Sequence, residues 1–221
     1  MIKIEHWETY GWRAAIRGMR NPKNSGERSD SQFDRKVKNY FDEDDVPCID
    51  ISQFRIGPND LELMVKLCNA GTDHGKFMRM ITVTADITAP LYWWKEYDTY
   101  KVGTVANSCS TMHKIADKEF TLDDFSHEQM HDAFRADLQR LVKLLNIARN
   151  KFLETGDKRF WWDMIQLLPS SYNQRRTVQL NYAVLRNMYH ARKGHKLDEW
   201  RNFCAWMETL PYSRLITWDL T

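Results

Sequence analysis

Residues 167–195 read LLPSSYNQRRTVQLNYAVLRNMYHARKGH, and the periodicity changes within them. Pro169 stops the helical pattern that precedes it, since proline lacks the backbone donor a helix interior needs. RTVQLN (176–181) is a short β-branched stretch that suits a strand. From Asn181 onward the spacing is helical: Asn181, Leu185, Met188 and Arg192 stand at i, i+4, i+7 and i+11 and share one face. Asn187 points roughly 120° away from that face. One helix therefore carries an amide at its start and a guanidinium at its end, both facing the same way. Asn donates and accepts at once, which suits the amide-rich edge of a flavin or a pyrimidine. Arg offers a planar fork to a carbonyl or an anion. The same residues also suit a plain helix, with Asn181 as N-cap and Arg192 complementing the C-terminal dipole.

Upstream, Phe77, Arg79, Ile81, Val83, Ala85 and Ile87 share one parity, which predicts a strand with one apolar face. Pro90 opens a helix, LYWWKEYDTYKV. Asn59 or Asp60 is placed to cap a helix through Leu61, Met64, Val65 and Cys68, and Gly71 ends it. CIDISQF (48–54) is strand-like. The polar stretch 20–46 reads as a loop or insertion. Ser126 with Gln129 is a capping-box pattern. It predicts a long helix with the stripe Met130, Phe134, Leu138, Leu141, Leu145, Ala148 and Phe152, closed at Gly156. A short helix with Phe160, Trp161, Ile165 and Leu168 follows, and the last helix covers 196–210. Strands and helices without regular alternation indicate an α+β fold, read as a single domain over 1–221.

Composition narrows the classes. The chain has 221 residues, 43% hydrophobic and 28% charged, with net charge +2. That is a globular profile without a strong pull toward nucleic acid or an anionic membrane. No apolar run approaches the ~18 residues of a membrane span. Cys48, Cys68, Cys109 and Cys204 form no CxxC pair, so a reducing cytoplasm is the simplest setting.

The spacing of Leu168-Pro169, Asn181, Asn187 and Arg192 resembles the C-terminal half of the flavin-dependent thymidylate synthases. GWRAAIRGM (11–19) resembles that family's early Ala-Ala-Arg stretch. GTDHGKFMR (71–79) resembles its Gly-His segment, with His74 at the first His and Met80 at the second. The resemblance implies a twisted antiparallel sheet with a layer of long helices, assembled as a homotetramer with sites between subunits. It implies FAD as cofactor, with Asn181, Asn187 and Lys101 on the flavin. It implies a pyrimidine nucleotide, dUMP or a relative, held by Arg192 as the candidate catalytic residue and by Ser108, Cys109 and Ser110. The implied reaction is one-carbon transfer from methylenetetrahydrofolate, with NADPH restoring the flavin.

The chain departs from the pattern between residues 95 and 114. The family's Arg-His-Arg becomes Thr99-Tyr100-Lys101, a later Ser becomes Cys109, and an Arg becomes Thr111. A further Arg, before the Leu-Pro, becomes Ile165. Three arginines are thus replaced, which motivates an alternative: a non-catalytic relative that keeps fold and oligomer and binds a nucleotide or a partner. A second alternative rests on His127-Glu128-Gln129-Met130-His131, an HExxH motif. On a helix it would set two imidazoles on one face for Zn²⁺, with Glu128 as general base.

Overall fold

Ile81, Val83, Ala85, Ile87 and Ala89 are all buried, while the residues between them are half-exposed. The alternation expected of a strand with one apolar face therefore holds from residue 81 onward. The computed structural model describes residues 1–34, 40–41, 47–48 and 53–218. Residues 35–39 and 42–46 of the expected 20–46 loop and 49–52 of the 48–54 strand lie outside these residues.

In chain order the elements are β1 (Lys3–Tyr10), α1 (Trp12–Arg20), β2 (Gln32–Asp34), β3 (Tyr40–Phe41), β4 (Pro47–Cys48), β5 (Gln53–Arg55) and α2 (Pro58–Asn69). They continue with β6 (Thr82–Pro90), α3 (Leu91–Tyr97), β7 (Val105–Ser108), α4 (Thr111–Lys114), α5 (Asp132–Thr155) and α6 (Lys158–Leu167). The chain then forms β8 (Asn173–Asn181), α7 (Tyr182–Arg192), α8 (Asp198–Thr209) and α9 (Arg214–Thr217). The main sheet has the order β1-β6-β8-β7 and is antiparallel throughout. Two short ribbons, β2-β5 and β3-β4, stand apart from it. The architecture is α+β, as the mixed pattern predicts.

Register sets the core. Val83 faces Leu180 and Ala85 faces Val178 across β6 and β8. Helices α1, α3, α7, α8 and α9 cover that face with Trp12, Trp93, Trp94, Leu185, Met188, Trp200, Phe203 and Leu215. Each such side chain contributes about 1.5–3 kcal/mol on burial. Trp93 and Trp94 are core residues, packed edge to face. The opposite face carries Thr84, Asp86, Arg175, Thr177 and Gln179. A second, smaller cluster joins Leu138, Val142, Leu145 and Ala148 of α5 to Met164 of α6 and to Ile115, Phe120 and Phe125.

Two helix starts differ from expectation. Helix α5 begins at Asp132, six residues after Ser126. The Ser126 hydroxyl donates to Asn173 Oδ1 at 2.8 Å, and its N–H donates to Ser171 O, so it has no helix to cap. Helix α2 begins at Pro58, and Asp30 accepts from the N–H groups of Asn59 and Asp60. Asp60 instead turns inward to Arg20, Ser29 and Ser31. At the far end of α5, Gly156 takes the left-handed conformation (φ 67°) that closes the helix.

Candidate functional site

Helix α7 follows β8 without a linker, and the Tyr182 N–H donates back to Ile81 O. Its shared face is inward: Leu185 and Met188 are fully buried. The ends of that face are polar and lie about 16 Å apart, at 1.5 Å per residue over eleven residues.

At the C-terminal end, Arg192 enters a box of rings and acid. Its Nη1 donates to Glu96 Oε2 at 2.7 Å and its Nε donates to the Tyr100 hydroxyl at 3.0 Å. The guanidinium lies 4.8 Å from the Trp200 ring and 5.6 Å from the Tyr100 ring. Trp200 Nε1 also donates to Glu96 Oε2 at 2.9 Å, and His195 Nε2 lies 3.3 Å from the same oxygen. Stacking and ion pairing fix the guanidinium plane more firmly than either would alone. Glu96 was not singled out in the sequence, and Tyr100 figured there only as the replacement for the family's His. The available signal was the i, i+4 spacing of Glu96 and Tyr100 behind the Trp pair.

At the N-terminal end, Asn181 caps the helix, its Oδ1 accepting from Val184 N at 3.1 Å. The capping reading of Asn181 is thus realised, and it leaves Nδ2 without a partner among the described residues. Lys101 and Asn187 are exposed and make no hydrogen bond among the described residues. Arg192 does not merely complement the helix dipole, because its partner is Glu96.

Ser108, Cys109 and Ser110 run beside the start of β8. Ser108 pairs with Arg176, and the Cys109 N–H donates to Arg175 O. Ser110 caps α4, accepting from His113 N at 3.2 Å. Cys109 is exposed. Nearby guanidiniums are committed. Arg176 pairs with Asp98 at 2.7 Å and lies 4.2 Å above the Trp94 ring. Arg175 pairs with Asp86, which also takes a hydrogen bond from Thr177 and faces His6. The Thr177 hydroxyl, then Arg175 and His6, hold the Asp86 carboxyl down at about 2. Lys114 pairs with Asp117. At the three replaced positions, Thr99 donates to Glu96 O, Thr111 accepts from Gln174, and Ile165 packs on the smaller hydrophobic cluster.

Two adjoining clefts, of about 950 and 760 Å³, share Tyr92, Lys196 and Leu197. The smaller is bordered by Glu96, Gly194 and His195. The larger includes Ser126, His127, Glu128, Ser171 and Glu199. Glu199 is buried and accepts from the Tyr92 hydroxyl at 2.5 Å; burial, then this acid, raises the tyrosine's pKa. The HExxH reading is corrected here. His127 to Met130 form a turn, and His131 is the N-cap residue of α5, so no helix aligns the imidazoles. His127 Nδ1 is engaged with Phe125 O at 2.8 Å. Among the described residues no three His, Cys, Asp or Glu gather as metal ligands.

The whole chain superposes on solved structures. Thymidylate synthase X (ThyX) from Helicobacter pylori, solved with FAD and dUMP, matches with TM-score 0.68 over 99% of this chain and 97% of its own, at 15% identity. The fold is that of the flavin-dependent thymidylate synthases. The ThyX fold is shared by the UMP/dUMP methylase PolB from Streptomyces cacaoi, solved with 5-Br dUMP. PolB matches with TM-score 0.58 over 95% of this chain and 89% of its own, at 13% identity. No family model matches the sequence, and no curated protein matches it. Among the described residues of this ThyX-like chain, no helix is long and apolar enough to cross a membrane.

Proposed function

We propose that this chain binds FAD and a uracil-type pyrimidine nucleotide, dUMP or a relative with different phosphate contacts. In this reading it transfers one carbon reductively from methylenetetrahydrofolate, in the cytoplasm. The observation that carries the proposal is helix α7 on the ThyX fold, with a capping amide at one end and a fixed guanidinium at the other. The residues present suit a flavin. Asn181 keeps an unused amide donor, Asn187 is exposed six residues on, and Lys101 is exposed two residues before Gly103, which abuts the Asn181 side chain. When bound, FAD supplies the redox chemistry, with NADPH as the reductant. The chain's own part is position and charge. Arg192 orients a ring carbonyl, while Ser108, Cys109 and Ser110 line the approach to the nucleotide. Restored growth of a thymidine-requiring host by this chain is the test of the activity.

A second reading has its own support. With Thr99, Thr111 and Ile165 at the arginine positions, and Arg175 and Arg176 bound to Asp86 and Asp98, the phosphate wall is weak. Each lost charged hydrogen bond costs about 1.5–3 kcal/mol. The chain then serves as a non-catalytic relative that binds a nucleotide or partner, and it does not restore growth.

Either reading includes self-association, to a homotetramer with sites between subunits. Phe134, Leu144, Ile147 and Leu153 of α5 are exposed apolar residues that a second copy would cover. Light scattering on the purified protein measures the assembly.

A further inference from the structure

We propose that Glu96 is the specificity-determining residue of the pyrimidine site, and that Glu96 and Arg192 together read the ring edge where an N–H stands beside a carbonyl. This rests on the pyrimidine reading above.

The argument starts from an inventory of donors and acceptors. A guanidinium has five N–H donors. Arg192 spends Nε on Tyr100 and one Nη1 hydrogen on Glu96. Among the described residues Nη2 has no partner. The Glu96 carboxylate gathers Arg192, Trp200 and His195 on Oε2 alone. Among the described residues Oε1 has none. Neither free atom is among the buried side-chain atoms that lack a partner, so both meet solvent. Glu96 borders the smaller cleft with Tyr92, Gly194, His195, Lys196 and Leu197.

Glu96 therefore brings a free acceptor to the smaller cleft, and Arg192, its ion-pair partner, keeps a free donor. The pair's complement is a lactam edge, whose N–H donates to Glu96 while its carbonyl accepts from Arg192. Uracil carries such an edge at N3. Tyr100, Trp200 and His195 hold the pair before any ligand arrives, so little ordering remains to be done on binding. An arginine alone would accept any ring bearing a carbonyl; the carboxylate adds the demand for a ring N–H.

The test is calorimetric titration of the full chain with dUMP and with its N3-methyl derivative. The wild type is expected to bind the methylated nucleotide at least about tenfold more weakly, the worth of one charged hydrogen bond. Glu96→Gln is expected to weaken dUMP by about tenfold and to shrink the penalty for the methyl group. Equal affinity of the wild type for both nucleotides overturns the proposal. So does tighter dUMP binding by Glu96→Gln, which would make Glu96 a competitor for Arg192. In both cases the pyrimidine reading survives. If the wild type binds neither nucleotide, that reading falls and this inference with it. Should Glu96→Gln lose its fold by circular dichroism, the two wild-type titrations decide alone.

Discussion

Gly103 lies directly against the side chain of Asn181. A methyl group on Gly103 would stand 2.9 Å from Asn181 Nδ2 and 3.1 Å from Val184 Cγ2, and the backbone there has φ +78°. The turn after α3 is thus fitted onto the N-terminus of α7. Gly103→Ala is expected to cost about 1–2 kcal/mol from the left-handed backbone. It should also push Asn181 aside and lower affinity for FAD. Chemical denaturation and a flavin titration read the two effects separately.

Asn181 has two assigned tasks, and one substitution separates them. Serine is as good an N-cap as asparagine but has no amide. Asn181→Ser is expected to keep stability within about 0.5 kcal/mol, whereas Asn181→Ala loses about 1 kcal/mol. Both variants should bind FAD more weakly than the wild type. If Asn181→Ser binds FAD normally, Asn181 is a cap and nothing more.

How far the sequence reached depends on how local each interaction is. Helix α7 was legible to the residue, because its cap, apolar face and final arginine all lie within one short window. The inward face of β6 was legible by parity. The start of α5 was not, because Ser126 is drawn away by Asn173, 47 residues on. The cap of α2 was not, because Asp30 supplies it from a distant loop. Arg192 was found, but its partner Glu96 is 96 residues away, and no periodicity joins them.

The Arg20–Asp60 pair ties the C-terminal end of α1 to α2. Both side chains are buried, with Nε 2.5 Å from Oδ1. Burial works to raise the Asp60 pKa, but Ser29, Ser31 and Arg20 outweigh it and hold it below the usual range. Asp60→Ala leaves Arg20 buried and unpaired. The expected loss is about 3–5 kcal/mol, measured by urea denaturation.

Asp86 governs an acid limb of stability. Its folded carboxyl titrates at about 2, against about 3.9 in an unfolded chain. A depressed pKa stabilises the fold above the unfolded value and ceases to do so as pH falls through the folded one. Wild type should therefore melt above Asp86→Asn at about pH 6, where an unfolded carboxyl is fully charged. The gap should close as the pH is lowered to about 2. Melting temperatures across that range measure it; a constant gap would mean that Asp86 acts without its charge.

The central claim is that a flavin sits on this fold. The direct measurement is the visible spectrum of the purified chain, followed by titration with FAD. The account predicts a bound-flavin band at about 450 nm, or saturable FAD binding that weakens in Asn181→Ser. A colourless protein that takes up no FAD on titration would contradict it.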